Sequence, residues 1–479
     1  MSEYIFSIRR DGNAQLDGYE GNDRQLSIPS AYNGHPVTVI GDNAFSWQSF
    51  IQTVIIPDTV VTIGEAAFSW CESLVHITIP PSVKTIGEWA FIGCSSLSEI
   101  SLPQGVRKIN YSAFQSCTSL TSVDIPDSVK SIGPEAFSEC RNLESVLLPK
   151  ALTSIGDCAF SACEKLRSIS IPDQLSSLGS NVFSGCISLS EFVVSPNHAV
   201  FSVIDGALMN KSESTLVFFP FNSGIREYTV PDGIRVIGEE SFAGRNTVER
   251  IILPDSVRTI EQKAFYSCRS LKSIDLPDSI TRIASSAFHS CSSLESIRLP
   301  KGLSVLEYSL FYACHSMSSV QLPEGLKIIA PCCFSGCSAL AEINLPDGLL
   351  EIGESAFEGC RSLESVDLPG SLETLGQHAF GSCEMLDSVS IGAGLKTIPS
   401  RAFSRCQNLN HVTLREGLEV IESEAFDNCE NLLSLQMPSS LVDIAPDAFN
   451  ECRHLMLFVY PDSYAHNFAK DYSYLYSEV

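Results

Sequence analysis

At 479 residues the chain would ordinarily fold as two or three globular domains, and its 44% of hydrophobic residues is ample for a core. A formal net charge of −25 excludes nucleic acid and anionic membrane surfaces as expected partners, because both demand clustered Lys and Arg. Residues 1–20 lack a basic start followed by an apolar run, and no stretch of about 18 apolar residues could span a bilayer, so the sequence by itself reads as a soluble cytoplasmic protein.

In chain order, the first signal is a hairpin. Two short apolar runs, at 4–8 and 14–16, flank the turn Asp11-Gly12-Asn13, and residues 1–27 are expected to cap the end of a longer array. The array itself is a repeat. A phenylalanine returns every 23 residues from Phe45 to Phe183 and, after one interruption, from Phe242 to Phe449, seventeen times in all. A fixed period in this range marks a solenoid, in which each unit buries its apolar side only by stacking on its neighbours. The expected blocks are 28–186, with seven repeats, and 231–452, with ten.

Each repeat has the same internal grammar. In the fifth, Val129, Ile132, Leu143, Val146 and Leu148 stand in columns that are apolar in every copy, and Val146 and Leu148 alternate with Ser145 and Leu147 as in a strand with one buried face. A proline such as Pro149 normally ends that strand and a polar turn comes next. The spacing of Val129 and Ile132 suits a second short extended piece. The Ala-Phe pair after it predicts one helical or 3₁₀ turn. Seventeen strands at about 4.8 Å each give a parallel ribbon roughly 80 Å long.

Of the 18 cysteines, fifteen stand three residues after the marker phenylalanine, from Cys71 through Cys452. Such a column points inward, where a free thiol serves as a small hydrophobe, and thiols with parallel side-chain vectors make poor disulfide partners. Cys333 replaces a small residue before the phenylalanine and is expected to be buried, whereas Cys158 and Cys332 are expected to be exposed. Cys332, Cys333 and Cys337 form CCxxxC, which has no fourth ligand nearby in sequence and is not read as a zinc site.

The interruption, 187–230, reads as two strands near 201–209 and 215–219 joined by a polar turn. Insertions in solenoids often map to binding faces, which makes Phe201, Phe218 and Phe219 candidate partner-binding residues; the structural alternative is a bend or brace. At the end of the chain, residues 453–479 are expected to form a cap, with Ser463 starting a short helix and the aromatics of 472–476 covering the last strand.

The unit CxxLxxIxLPxxLxxIGxxAF, intact at 71–91 and again at 360–380, resembles the BspA-type leucine-rich repeat, also found in treponemal repeat proteins. The resemblance covers roughly residues 28–460. It implies a right-handed, curved leucine-rich-repeat array of about 17 rungs that is not an enzyme, is often displayed on cell surfaces, and adheres to host proteins or other bacteria.

The residues themselves point the same way on chemistry. The chain has no glycine-rich phosphate loop, no HExxH and no GxSxG, and its nine histidines are scattered along the repeats, so no catalytic, cofactor or metal residues are expected. Aspartates recur after the proline, at Asp58, Asp127, Asp173, Asp232, Asp255, Asp278 and Asp347, and are expected to cap their own turns, with a calcium-binding ladder as the minor alternative. The expected partner is a protein, met by a monomeric solenoid. All three tryptophans fall in the first three repeats, with Trp47 and Trp70 in one column and Trp89 four positions earlier in the unit. Tyr266, His289 and Tyr312 fill one column in three consecutive repeats. These two groups are the candidate binding patches. An intracellular scaffold and a calcium- or carbohydrate-binding rod are the alternative functions.

Overall fold

The computed structural model describes residues 3–221 and 224–479. Met1 and Ser2, in the expected N-terminal cap, and Asn222 and Ser223, in the expected insertion, lie outside the described residues. The chain divides into two units, Met1–Ser223 and Gly224–Val479, and each is a parallel β-solenoid. Three strands without a marker phenylalanine before them, Gln25–Ser27, Glu227–Thr229 and Leu475–Glu478, raise the count to about 20 turns.

Two parallel ladders run through each unit, and both arise from the column grammar. Ser122–Asp124 pairs with Ser145–Leu147, placing Val123 on Val146, and Ser131–Ile132 pairs with Ser154–Ile155. The inward residues Val129, Ile132, Leu143, Val146 and Leu148 are all buried, while Leu147 on the outer face is exposed. The marker phenylalanines form the spine of the core. Their rings stack face to face at 5.0–6.2 Å in the first unit and 5.0–5.7 Å in the second. The distance is essentially that between neighbouring strands, so the backbone register carries each ring onto the next.

The expected helical or 3₁₀ turn around the phenylalanine is absent. The residues two before and two after it have left-handed backbones in every repeat except at Asp447 in the last one, as at Glu135 (φ 54°) and Glu139 (φ 60°) around Phe137. A right-handed helix cannot pass through such residues. Instead, alternate N–H groups leave the rung: Glu135, Phe137 and Glu139 donate to the carbonyls of Asp157, Ala159 and Ser161 at 2.7–2.8 Å, while Ala136, Ser138 and Cys140 close tight turns within their own rung. The turn ridge is thus a third ladder.

The cysteine column is buried as expected and does more than fill space. Each of the fifteen thiols donates to the carbonyl oxygen of the marker phenylalanine one rung earlier, with S···O distances of 2.9–3.3 Å. Cys158 and Cys332 are half-buried rather than fully exposed, because the left-handed column they occupy lies against the neighbouring rung.

At the N-terminus, Glu3–Ile8 and Ala14–Glu20 pair antiparallel, and the second strand continues into the array by parallel pairing with His35–Ile40. Within the insertion, residues 201–219 form three strands where two were expected. The stretch 201–209 folds back at Asp205-Gly206, both left-handed, giving Phe201–Ile204, Ala207–Asn210 and Thr215–Phe218 in antiparallel order. At the C-terminus, the Ser463 side chain caps the helix Tyr464–Asp471 by accepting from the His466 N–H, and Leu475–Glu478 adds to Met456–Val459 as a further parallel strand.

Candidate functional site

Function in a solenoid lies in columns that depart from the packing pattern. The position two after the phenylalanine is left-handed in every repeat, and glycine, serine or alanine commonly fills it, as at Gly93, Ser116 and Ala162. Trp47 (φ 64°) and Trp70 (φ 57°) occupy the same position. A left-handed backbone costs an ordinary residue about 1–2 kcal/mol, and bulky residues are rare there. The two indoles stack at 5.2 Å with an interplanar angle of 10°. The stack rests on Gly93, where an added Cβ would lie 2.5 Å from the Trp70 ring. Trp47, the outer member, is 67% exposed.

Trp89 does not join this pair. It occupies the other left-handed column and packs edge-on against Tyr111 at 5.3 Å. In the second unit Tyr266, His289 and Tyr312 stack with centroids 4.7 Å apart, and the Lys263 ammonium lies 5.9 Å from the Tyr266 ring centre. Partial burial and the nearby Lys263 charge hold His289 below its usual pKa, and its Nδ1 lies 2.9 Å from the Ser290 hydroxyl.

Phe201, Phe218 and Phe219 are buried, which removes them as docking residues. Phe218 meets Phe183 and Phe192 edge to face at 6.0 and 5.6 Å, so the insertion closes the phenylalanine stack of the first unit. His198 fixes the insertion in place. Its Nδ1 accepts from the N–H groups of Val200 and Phe201, which leaves Nε2–H to donate to the Pro172 carbonyl at 3.0 Å. Nothing in the repeat grammar marks this histidine.

Of the seven recurrent aspartates, Asp278 acts across rungs rather than on its own turn, as does Glu416 in the corresponding column. Asp278 accepts from Arg298 and from the N–H of Lys301, and Glu416 accepts from the N–H groups of Ser439 and Ser440. Among the described residues no three His, Cys, Asp or Glu side chains converge as a metal site would require.

The surface also holds a site that no expectation from sequence covered. A cleft of about 690 Å³ in the first unit is lined by Lys84, Thr85, Gln104, Gly105, Arg107, Lys108, Asn110 and Ser128. Lys84, Arg107 and Lys130 are 23 residues apart and form a file on three consecutive rungs, a spacing visible in the sequence but masked there by the overall negative charge.

The family model for the BspA type leucine-rich repeat region matches residues 38–133, 108–220, 217–341 and 327–456. The chain belongs to that family. Among solved structures, a leucine-rich cell surface protein from Faecalibacterium prausnitzii A2-165 is similar at 28% identity, over 86% of this chain and 94% of that one, with a TM-score of 0.54. A leucine-rich-repeat protein from Bacteroides ovatus ATCC 8483 is similar at 29% identity, over 86% of this chain and 98% of that one, also at 0.54. No curated protein matches significantly. Family members of this kind are repeat scaffolds for protein interaction, and among the described residues no helix is long and apolar enough to cross a membrane.

Proposed function

We propose that this BspA-type repeat protein is a non-enzymatic, adhesive scaffold that binds a protein partner at the cell exterior, with Trp47 and Trp70 as its anchor. The observation that carries the reading is the indole stack held outward on left-handed backbone, against local conformational preference. The left-handed backbone is common to every repeat, so what sets these two positions apart is the bulky indole where small residues commonly stand. Tryptophan is also among the residues that dominate interface energies. The cell-surface description of the similar Faecalibacterium protein supports the external location. In the second unit, the Tyr266–His289–Tyr312 stack is the corresponding second patch.

The test pairs location with binding. Protease added to intact cells of the source organism should remove the protein, and the purified chain should bind at least one immobilised host matrix or bacterial surface protein. The double variant Trp47→Gly/Trp70→Gly should weaken that binding about 30-fold, equivalent to a loss of about 2 kcal/mol. Its thermal midpoint should stay nearly constant. Relief of left-handed strain, about 1–2 kcal/mol per residue, opposes the lost ring stacking, about 0.5–1.5 kcal/mol, and the entropic cost of glycine. Protection of the protein inside intact cells, or binding indifferent to both tryptophans, rules the proposal out.

A further inference from the structure

The structure assigns a second, electrostatic contact to the first unit: the cleft around Lys84, Arg107 and Lys108, extended by Lys130, is a docking groove for an extended acidic peptide segment of a protein partner. The inference deepens the protein-binding reading above and rests on it.

Four observations converge on the groove. First, its lining holds three cations and no carboxylate, although the chain carries 56 acidic residues against 31 basic ones. Second, Lys84, Arg107, Lys108 and Lys130 are all exposed, and none makes an ion pair or a side-chain hydrogen bond among the described residues. Equivalent columns elsewhere are engaged: Arg258 donates to the Asp255 and Val257 carbonyls, Lys327 to the Gly348 carbonyl, and Lys396 pairs with Glu419. Arg235 in that column is also unpaired among the described residues, but only at this groove do free cations stand on three consecutive rungs.

Third, two of the three groove turns lack the acid that many repeats carry after the proline, as do turns elsewhere such as those at Lys150, Lys301 and Gly370. Asp58 and Asp127 flank the region, but the two turns between them carry Pro81 and Gln104 at that position. Fourth, Gly105 keeps the groove open. A Cβ there would lie 2.6 Å from Lys84 Cδ and 2.7 Å from its Nζ.

Geometry selects the occupant. The cations of the file repeat at the rung spacing of about 4.8 Å, so its ends are about 10 Å apart, close to three residues of extended peptide. The groove also offers acceptors. Asn110 donates its amide N–H to the Ile86 carbonyl and Ser128 donates its hydroxyl to the Val106 carbonyl, which turns the Asn110 carbonyl oxygen and the lone pairs of Ser128 toward other donors. Carboxylates with interleaved N–H donors satisfy both halves of this lining. A sulfated polysaccharide supplies anions and hydroxyl donors to the same lining and is the competing class, which the experiment separates from a peptide.

The probe is a fluorescein-labelled decapeptide of alternating Glu and Ser, titrated with the full chain and followed by anisotropy, beside its Gln-Ser counterpart. The acidic peptide should bind at least tenfold more tightly than the neutral one, and the preference should shrink as salt rises from 50 to 300 mM, because exposed charges are screened. Arg107→Glu should abolish the preference and Lys84→Gln should reduce it several-fold, with unchanged circular-dichroism melts because both side chains are exposed. Trp47→Gly/Trp70→Gly should leave peptide binding intact. Equal binding of the two peptides, an Arg107→Glu variant that still prefers the acidic one, or a sulfated polysaccharide that displaces the peptide and binds the Arg107→Glu variant just as well, would overturn the assignment. Matrix-protein binding that depends on the tryptophans but not on Arg107 would overturn it while leaving the adhesive reading standing.

Discussion

At the scale of single residues, the thiol column shows what one side chain can do when repeated. Burial pushes the thiols of Cys71, Cys268 and Cys337 up to about 12, and drives neighbours such as Cys94 and Cys117 well above their ordinary value. A folded pKa above the unfolded one means that the fold favours the protonated thiol. The resulting stability is fully present below the unfolded value, near 9, and is lost as pH climbs toward 12. Each such thiol removes about 1.4 kcal/mol per pH unit in that window. The urea midpoint should therefore fall steeply from pH 9 to 11. The double variant Cys268→Ala/Cys337→Ala, less stable at pH 7, should show a shallower fall, by about 1.4 kcal/mol per pH unit for each thiol replaced. Equal slopes for parent and variant would show that other groups govern the alkaline transition. Burial of the column was legible in sequence from its period. The donation to the phenylalanine carbonyl was not, because nothing in a sequence shows which carbonyl a thiol will face.

At the scale of the repeat, the strands were legible and the turn ridge was not. Strands announce themselves by alternation, and Val146 and Leu148 point inward as their pattern requires. The ridge carries apolar residues at Ala136, Phe137 and Cys140, a spacing that imitates a helical face. Its left-handed positions are filled by glycine in only some repeats, so the backbone sign is hidden by residues such as Glu135, Ser355 and Arg401. A substitution with opposite sign in the two geometries separates them. Ser355 (φ 52°) is half-buried and donates its N–H to the Gln377 carbonyl. In a helical turn, Ser355→Gly would cost about 0.5 kcal/mol. On left-handed backbone it should be neutral or stabilising by up to about 1 kcal/mol, since relief of strain exceeds the entropic cost of glycine. Ser355→Val should destabilise by about 1–3 kcal/mol, whereas Ser365→Val on the exposed strand face should change little. Chemical denaturation of the three variants decides the matter, and a destabilising glycine would contradict the turn geometry.

The same limit explains the candidate sites. Trp47 and Trp70 were found in sequence because they share a column, yet the reason they stand out is their backbone, which only the structure reveals. Phe201, Phe218 and Phe219 read as candidate partner-binding residues, with a brace as the alternative, because alternation does not say which side of an insertion finds a neighbour. Contact with Phe183 and Phe192 buries Phe218. The basic file was overlooked for a different reason: net charge is an average, and Lys84, Arg107 and Lys130 gain their meaning only when three rungs bring them into line.

At the scale of the molecule, stability should be local. Every interior marker phenylalanine touches the one before and the one after it, and the cysteine bonds and turn-ridge bonds likewise reach one rung. Such an array behaves as a sum of repeat terms and nearest-neighbour interfaces. Phe357 is fully buried between Phe334 at 5.2 Å and Phe380 at 5.0 Å. Phe357→Ala should remove about 3–5 kcal/mol, the usual range for truncating a buried phenylalanine. Native-state hydrogen exchange should place that loss on the rungs next to Phe357, including the ladder of Ser365–Asp367 with Ser388–Ser390. Protection of the Ser122–Asp124 and Ser145–Leu147 pair, in the other unit, should be unchanged. A uniform drop across both ladders would mean that the chain opens as one cooperative body, and nearest-neighbour bonding would then be too weak a description of what holds the rungs together.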